Sequence, residues 1–268
     1  MTEAEQRNLV ATTATNWLGR KEADGSFKPI IDVYNECAKA FGLYIMKYTD
    51  PWCAAFVTAV AWACGLTSII FPECSCDRMI QLYKNAGRWQ ERDDYDAMVG
   101  DVIFYDWDDD GVGDCVGSSD HVGLIAVATD TAFLVIEGNK SDEVGQRTIQ
   151  RNSRFIRGFG CPDYASKATQ EEVSTVAVEE PATIVTTVVT TVGKAGLSLP
   201  MIRKGSAGGY VKSLQLVLIG KGYSCGKYGA DGDFGNDTEA AVFAFQRANA
   251  LEVDGVVGDQ TWGAVLAK

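Results

Sequence analysis

Apolar positions along residues 1–48 recur at helical spacing in two runs. Thr2 and Glu5 fit a capping box that opens a helix through Leu9, Val10 and Trp17. The second run places Ile30, Ile31, Val33, Tyr34, Cys37 and Phe41 on one side. An Asp50-Pro51 turn then leads into an Ala-rich stretch in which Phe56, Val57, Val60 and Cys64 keep helical spacing and Gly65 ends the run. Met79, Ile80 and Tyr83 mark a further helix within residues 77–88. From Gly100 the period changes. Asp101–Tyr105, His121–Val127, Phe133–Glu137 and Gln146–Gln150 read as short strands separated by Gly, Asp and Ser. Helices followed by an antiparallel sheet predict an α+β layout, which Gly158–Tyr164 closes.

The texture then changes twice. Residues 166–197 are rich in Thr, Val, Ala and Glu and hold no aromatic side chain, so they read as a linker, with Thr183–Val192 β-prone enough to pair as a strand. Beyond it, Tyr210–Leu218, Thr238–Ala248 and Asp259–Leu266 predict a small three-helix domain, with the turns Asp231-Gly232 and Asp254-Gly255 ahead of its last two helices. The expected organisation is a first domain over 1–165, a linker over 166–197 and a second domain over 198–268.

At 268 residues there is material for two cores. The net charge of −12 argues against a nucleic-acid partner, and residues 1–165 carry 25 acidic against 15 basic side chains, so the surplus belongs to the first domain. No stretch reaches the ~18 apolar residues of a membrane span. Met1–Gln6 is polar and acidic, the reverse of a secretory signal, so synthesis in a cytoplasm without export by that route is expected. In that setting the eight cysteines are expected as thiols. Cys74-Ser75-Cys76 is too tight for the usual zinc knuckle, and no organic cofactor is implied.

Cys53 falls at the first turn of the Ala-rich helix. Unpaired N–H groups and the positive end of the helix dipole favour a thiolate there and offer donors to a developing oxyanion. His121 is the only histidine, so any imidazole serving Cys53 is this one. Asp120 points to the opposite face of the strand. Glu137 and Asn139, two apart at the end of the next strand, are better placed: one to hold the imidazole tautomer, the other to polarise the ring or a substrate carbonyl.

Trp52-Cys53, Gly100-Asp101-Val102-Ile103-Phe104, Asp120-His121-Val122-Gly123 and Glu137-Gly138-Asn139, in this order, resemble the CHAP family, the cysteine, histidine-dependent amidohydrolases/peptidases of peptidoglycan. The resemblance implies a papain-like core over residues 5–164, Cys53 as nucleophile, His121 as general base and then acid, Glu137 orienting His121, and Asn139 assisting at the ring or the oxyanion. Ile202–Ser206, Val211–Gln215, Asp231–Val242, Phe245-Gln246 and Val253–Trp262 are similar to a type 1 peptidoglycan-binding domain, which implies bacterial peptidoglycan as partner.

Asp106, Asp108, Asp110 and Asp114, with Gly111 between them, follow the opening of a calcium-binding loop that lacks its closing Glu, since Gly117 stands there. Acidic loops also occur beside the catalytic His in CHAP proteins, so a structural Ca²⁺ is expected. Together these features point to a monomeric, phage-type endolysin that reaches the wall after release. The amide between muramic acid and L-alanine is favoured as its target. A peptidoglycan endopeptidase or bacterial autolysin is an alternative, and a non-catalytic wall-binding protein is another.

Overall fold

A computed structural model describes residues 1–92, 94–110, 115–168 and 201–266. The Thr2 hydroxyl accepts the Glu5 N–H at 3.2 Å and the Glu5 carboxylate accepts the Thr2 N–H at 2.8 Å, so the capping box opens α1 (Glu3–Asn16). Helix α2 (Lys28–Phe41) ends at Gly42, whose φ of 68° stops the helix at little steric cost. Helix α3 (Cys53–Ala63) is buried on every side from Ala54 to Ala61, and its small residues let α1, α2 and the sheet close around it. Helix α4 (Cys76–Asn85) presents Met79, Ile80 and Tyr83 to the same core.

Six strands follow: β1 (Trp89–Gln90), β2 (Val102–Tyr105), β3 (His121–Ala128), β4 (Ala132–Glu137), β5 (Gly145–Gln150) and β6 (Ile156–Gly160). They form one antiparallel sheet in the order β1-β6-β2-β3-β4-β5. Val102, Phe104, Val122, Leu124 and Ile136 face the helices, whereas Ile103, Tyr105, Ile125, Phe133, Val135 and Phe159 build a second core on the other face. The α+β expectation holds.

Two strands were not expected. The run Ile156-Arg157-Gly158-Phe159-Gly160 reads as a loop because glycine punctuates it. Here the glycines serve packing: a Cβ at Gly158 would strike the Trp89 ring and one at Gly160 would sit 2.5 Å from Tyr83. The Gly100-Asp101 pair anchors the sheet. Buried Asp101 holds Arg7 at 2.9 Å, and Tyr164 donates its hydroxyl hydrogen to the Gly100 carbonyl at 2.7 Å.

The second domain comprises α5 (Gly209–Gly220), α6 (Asn236–Ala248) and α7 (Asp259–Leu266) around Leu214, Phe234, Phe245 and Trp262. It contains an internal duplication. Gln215 Nε2 donates to Asp231 Oδ1, the Asp233 carbonyl and Thr238 Oγ1, and Gln215 Oε1 accepts the Gly232 N–H. Gln246 repeats the pattern with Asp254, Val256, Thr261 and Gly255. Each buried amide thus saturates an Asp-Gly turn and ties it to the start of the next helix. The domain packs on the far end of the sheet from His121, where Val127, Ala132 and Leu134 join its core. Lys212 Nζ donates to the Leu18 carbonyl at 2.9 Å across the same junction. A 3₁₀ turn, Tyr164–Lys167, spans the expected boundary at 165. Except for residues 166–168, the expected linker lies outside the described residues, as does the strand expected at Thr183–Val192.

Candidate active site

Cys53 is the first residue of α3. The N-cap, Trp52, supplies no side-chain cap, so the first-turn N–H groups are left to whatever lies beside the sulfur. Ala54 N–H already points at Cys53 Sγ. Trp52 is buried, with its indole N–H on Glu22 at 2.9 Å and its ring 5.5 Å from that of Phe27. That packing sets where α3 starts and therefore where the thiol sits.

His121 opens β3 and Glu137 closes β4, so both stand where the sheet ends. The register pairs Leu124 with Ile136, which brings Gly123 opposite Glu137 and leaves His121 one pleat further on the same face. A Cβ at Gly123 would approach Glu137 Cγ to 2.9 Å, and one at Gly138 would overlap Phe56. The first glycine therefore makes room for the Glu137 side chain to reach His121. The second lets the end of β4 meet the start of α3. These contacts explain the His-x-Gly and Glu-Gly pairs in the sequence.

Glu137 is fully buried, and its Oε2 lies 3.3 Å from His121 Nε2, an ion-pair distance without the alignment of a full hydrogen bond. Cys53 lies close enough to the imidazole for each to shift the other's hold on its proton. Because Nε2 faces the carboxylate, the nitrogen left for sulfur is Nδ1. The sequence-predicted trio Cys53, His121 and Glu137 is thereby brought together. Asn139 is placed differently. Strand β4 ends at Glu137, and Asn139 lies in the turn beyond it with φ 55°, where strand alternation no longer fixes its direction.

Three neighbours carried no motif. Arg147 on β5 clamps Glu137 through Nε at 2.6 Å and Nη2 at 3.0 Å, and its guanidinium lies 4.6 Å over the Trp107 ring. Tyr105, opposite His121 across β2 and β3, stacks between Trp107 and the imidazole at centroid distances of 4.6 and 6.1 Å. Cys76, the first residue of α4, places its sulfur 3.7 Å from Cys53 Sγ. Only the register of Arg147 opposite Val135 could have flagged any of them.

These contacts set the protonation states. The Cys76 hydrogen bond is the largest influence on Cys53, and with His121 it overcomes burial to hold the thiol well below its ordinary range. Burial opposes the charged imidazole, but Cys53 and Glu137 outweigh it and raise His121 to about 9. Burial also opposes the Glu137 charge, and His121 and Arg147 reverse that and lower its pKa. The site therefore rests as thiolate and imidazolium at neutral pH, with Cys76 kept as a thiol by its bond to Cys53. Iodoacetamide labelling of Cys53, followed by peptide mass spectrometry, should follow a rate–pH curve displaced well below that of an ordinary thiol. A rate rising tenfold per pH unit towards about 8.5 would contradict the ion pair.

In the acidic loop, Asp106 is buried and accepts the Asp108 N–H at 3.1 Å, while Asp108 and Asp110 are exposed. Asp114 lies outside the described residues. Among the described residues no three metal-binding side chains converge.

Residues 44–139 match the CHAP domain family, and residues 207–265 match the family described as putative peptidoglycan binding domain. A stretch of 67 residues is 45% identical to the N-acetylmuramoyl-L-alanine amidase CwlL of Bacillus licheniformis, covering 25% of this chain and 19% of that protein. A probable N-acetylmuramoyl-L-alanine amidase of the same organism is 40% identical over 67 residues with the same coverage. The match thus spans about a fifth of the length of these relatives. The solved structure of a peptidoglycan-binding protein from Clostridioides difficile, in complex with glutamine hydroxamate, is 19% identical with a TM-score of 0.26, covering 69% of this chain and 84% of that one. The chain joins a CHAP domain, residues 44–139, to a putative peptidoglycan binding domain, residues 207–265.

Proposed function

We propose that the protein is a cysteine-dependent peptidoglycan hydrolase that cuts an amide bond of the stem peptide, with the bond between muramic acid and L-alanine as the favoured target. The observation that carries the reading is the contact of Cys53, at a helix start, with His121 backed by buried Glu137, on a chain that also holds a wall-binding family domain. The amidase names of the two Bacillus licheniformis relatives favour the same bond.

In this reading Cys53 thiolate attacks the amide carbonyl, and the first-turn N–H groups of α3 receive the oxyanion. His121 gives its proton to the departing amine, leaving a thioester. His121 then takes a proton from water as that water attacks the thioester carbon, and the Cys53 thiolate leaves with the acid product formed. Glu137 keeps the ring oriented and charged, and Asn139 assists at the ring or the oxyanion. The second domain holds the enzyme on an insoluble polymer and raises the local substrate concentration. A phage-type endolysin that reaches the wall after release is the setting that suits these parts.

Clearing of purified peptidoglycan suspensions by the intact chain tests the reading, and wall binding without clearing on any wall type would turn it to the non-catalytic alternative. The spacing of Asp106, Asp108, Asp110 and Asp114 also supports a structural Ca²⁺ in the loop that leads into β3. EDTA should then lower the melting temperature by several degrees and calcium restore it, and an unchanged melting curve would remove the ion.

A further inference from the structure

We infer that Cys53 and Cys76 form a reversible disulfide under peroxide, with Cys76 acting as the resolving thiol for the active-site cysteine. The two sulfurs are already 3.7 Å apart, so the bond requires closure to ~2.05 Å. Each cysteine is the first residue of a helix, so the positive ends of α3 and α4 meet at the sulfur pair and stabilise the Cys53 thiolate, beside which Cys76 stays a thiol. Cys53 is half-buried and reachable, while Cys76 is only 8% exposed behind it. An oxidant arriving from solvent therefore meets Cys53 first.

The frame around the pair is fixed. Thr58 of α3 donates to the Glu73 carbonyl at 2.7 Å and accepts the Glu73 N–H at 2.9 Å, which pins the approach to α4 against α3. Ser119 N–H donates to Asp77 at 2.9 Å, and Ser119 Oγ donates to the His121 carbonyl at 3.1 Å, tying the start of α4 to the start of β3. Nearby Cys74 is turned to the Arg78 guanidinium at 3.7 Å instead. All eight cysteines are free thiols in the structure, so the pair is present in its reduced form.

In the first step Cys53 thiolate attacks one oxygen of hydrogen peroxide. The O–O bond breaks, and sulfenic acid and hydroxide form. Hydroxide takes the Cys76 proton to give water. Cys76 sulfur then attacks the sulfenyl sulfur, the S–S bond forms, the S–O bond breaks, and the departing hydroxide takes the proton held by the His121 imidazolium to give a second water. Two thiols thus lose two electrons and two protons to one peroxide. A dithiol reverses the bond by exchange. While the bond exists, Cys53 cannot attack a carbonyl and is shielded from conversion to sulfinic acid. The loss of hydrolysis rests on the reading of Cys53 as nucleophile, whereas the bond itself does not.

The test treats the full chain with hydrogen peroxide, blocks the remaining thiols and maps peptides without reduction. The expected result is a Cys53–Cys76 cross-linked peptide, with hydrolysis falling in proportion to the bridge and returning on dithiothreitol. In Cys76→Ser the cross-link is absent, Cys53 accumulates as sulfinic and sulfonic acid, and dithiothreitol does not restore that variant's own starting rate. Wild-type Cys53 passing to sulfinic acid without the cross-link, or pairing with a different cysteine, would overturn the inference. A cross-link formed in a chain that shows no hydrolysis at all would uphold the disulfide and sink the hydrolase reading instead.

Discussion

Cys53→Ala should abolish clearing of a peptidoglycan suspension and leave the amount of protein that sediments with the wall unchanged. Loss of a nucleophile served by an imidazole removes on the order of 10⁴- to 10⁶-fold in rate, about 5–8 kcal/mol of transition-state stabilisation. His121→Ala should cost almost as much, and the double variant little more, because the two act as one unit. No other histidine exists to substitute. Binding should persist because the duplicated Gln215 and Gln246 turns and the core around Trp262 lie in the other domain. Cys53 is a small side chain at the start of α3, so folding should survive its loss, and an unshifted melting temperature checks that. Clearing at the wild-type rate would mean that another group is the nucleophile.

Arg147→Met should produce the second large effect, on stability and rate together. Glu137 is fully buried and is held by Arg147 through two bonds, so the variant leaves a carboxylate in the core with His121 as its remaining charged partner. Breaking a buried pair from one side costs about 3 kcal/mol, the low end of the usual range because Arg147 is itself partly exposed. Glu137→Gln keeps the shape and removes the charge. It should lower the rate by about 10²- to 10⁴-fold and bring the alkaline limb of the pH–rate profile down from about 9, since His121 then loses a group that holds its proton.

Stability follows the same shifts. Glu137 has a lowered pKa, so its contribution is present above its unfolded value of 4.5 and fades as pH falls through the folded value. His121 has a raised pKa, so its contribution is complete below 6.5 and is lost as pH rises through about 9. The wild-type advantage over Glu137→Gln in urea midpoints should therefore be greatest between about pH 5 and 6.5 and shrink on both sides. An advantage that stays flat from about pH 3 to about pH 10 would mean the cluster is not charged as described.

Much of this centre was legible along the chain because it is built from scarce residues at element ends. A cysteine after Asp-Pro-Trp, a lone histidine before Val-Gly, and Glu-Gly closing an apolar strand each announce a position where backbone geometry limits the choice. Arg147 and Cys76 were not legible. Each reaches the site through tertiary structure, Arg147 from the edge strand β5 and Cys76 from a helix 23 residues beyond Cys53. Nothing in their flanking residues marks them. Strand alternation, reliable inside β4, ended two residues short of Asn139. Strand β6 was hidden because Gly158 and Gly160 are needed for Trp89 and Tyr83, and glycine reads locally as a break. The turns Asp231-Gly232 and Asp254-Gly255 were visible, but the buried glutamines that hold them were not, since a Gln in a helix reads as surface.

Mass spectrometry of purified peptidoglycan digested by the intact chain, with Cys53→Ala as control, tests the hydrolase reading most directly. Free stem peptides beginning with L-alanine, beside intact glycan strands and absent from the control, are the predicted products. Stem peptides still attached to every muramic acid, with no amide cut anywhere and no difference from the control, would contradict it.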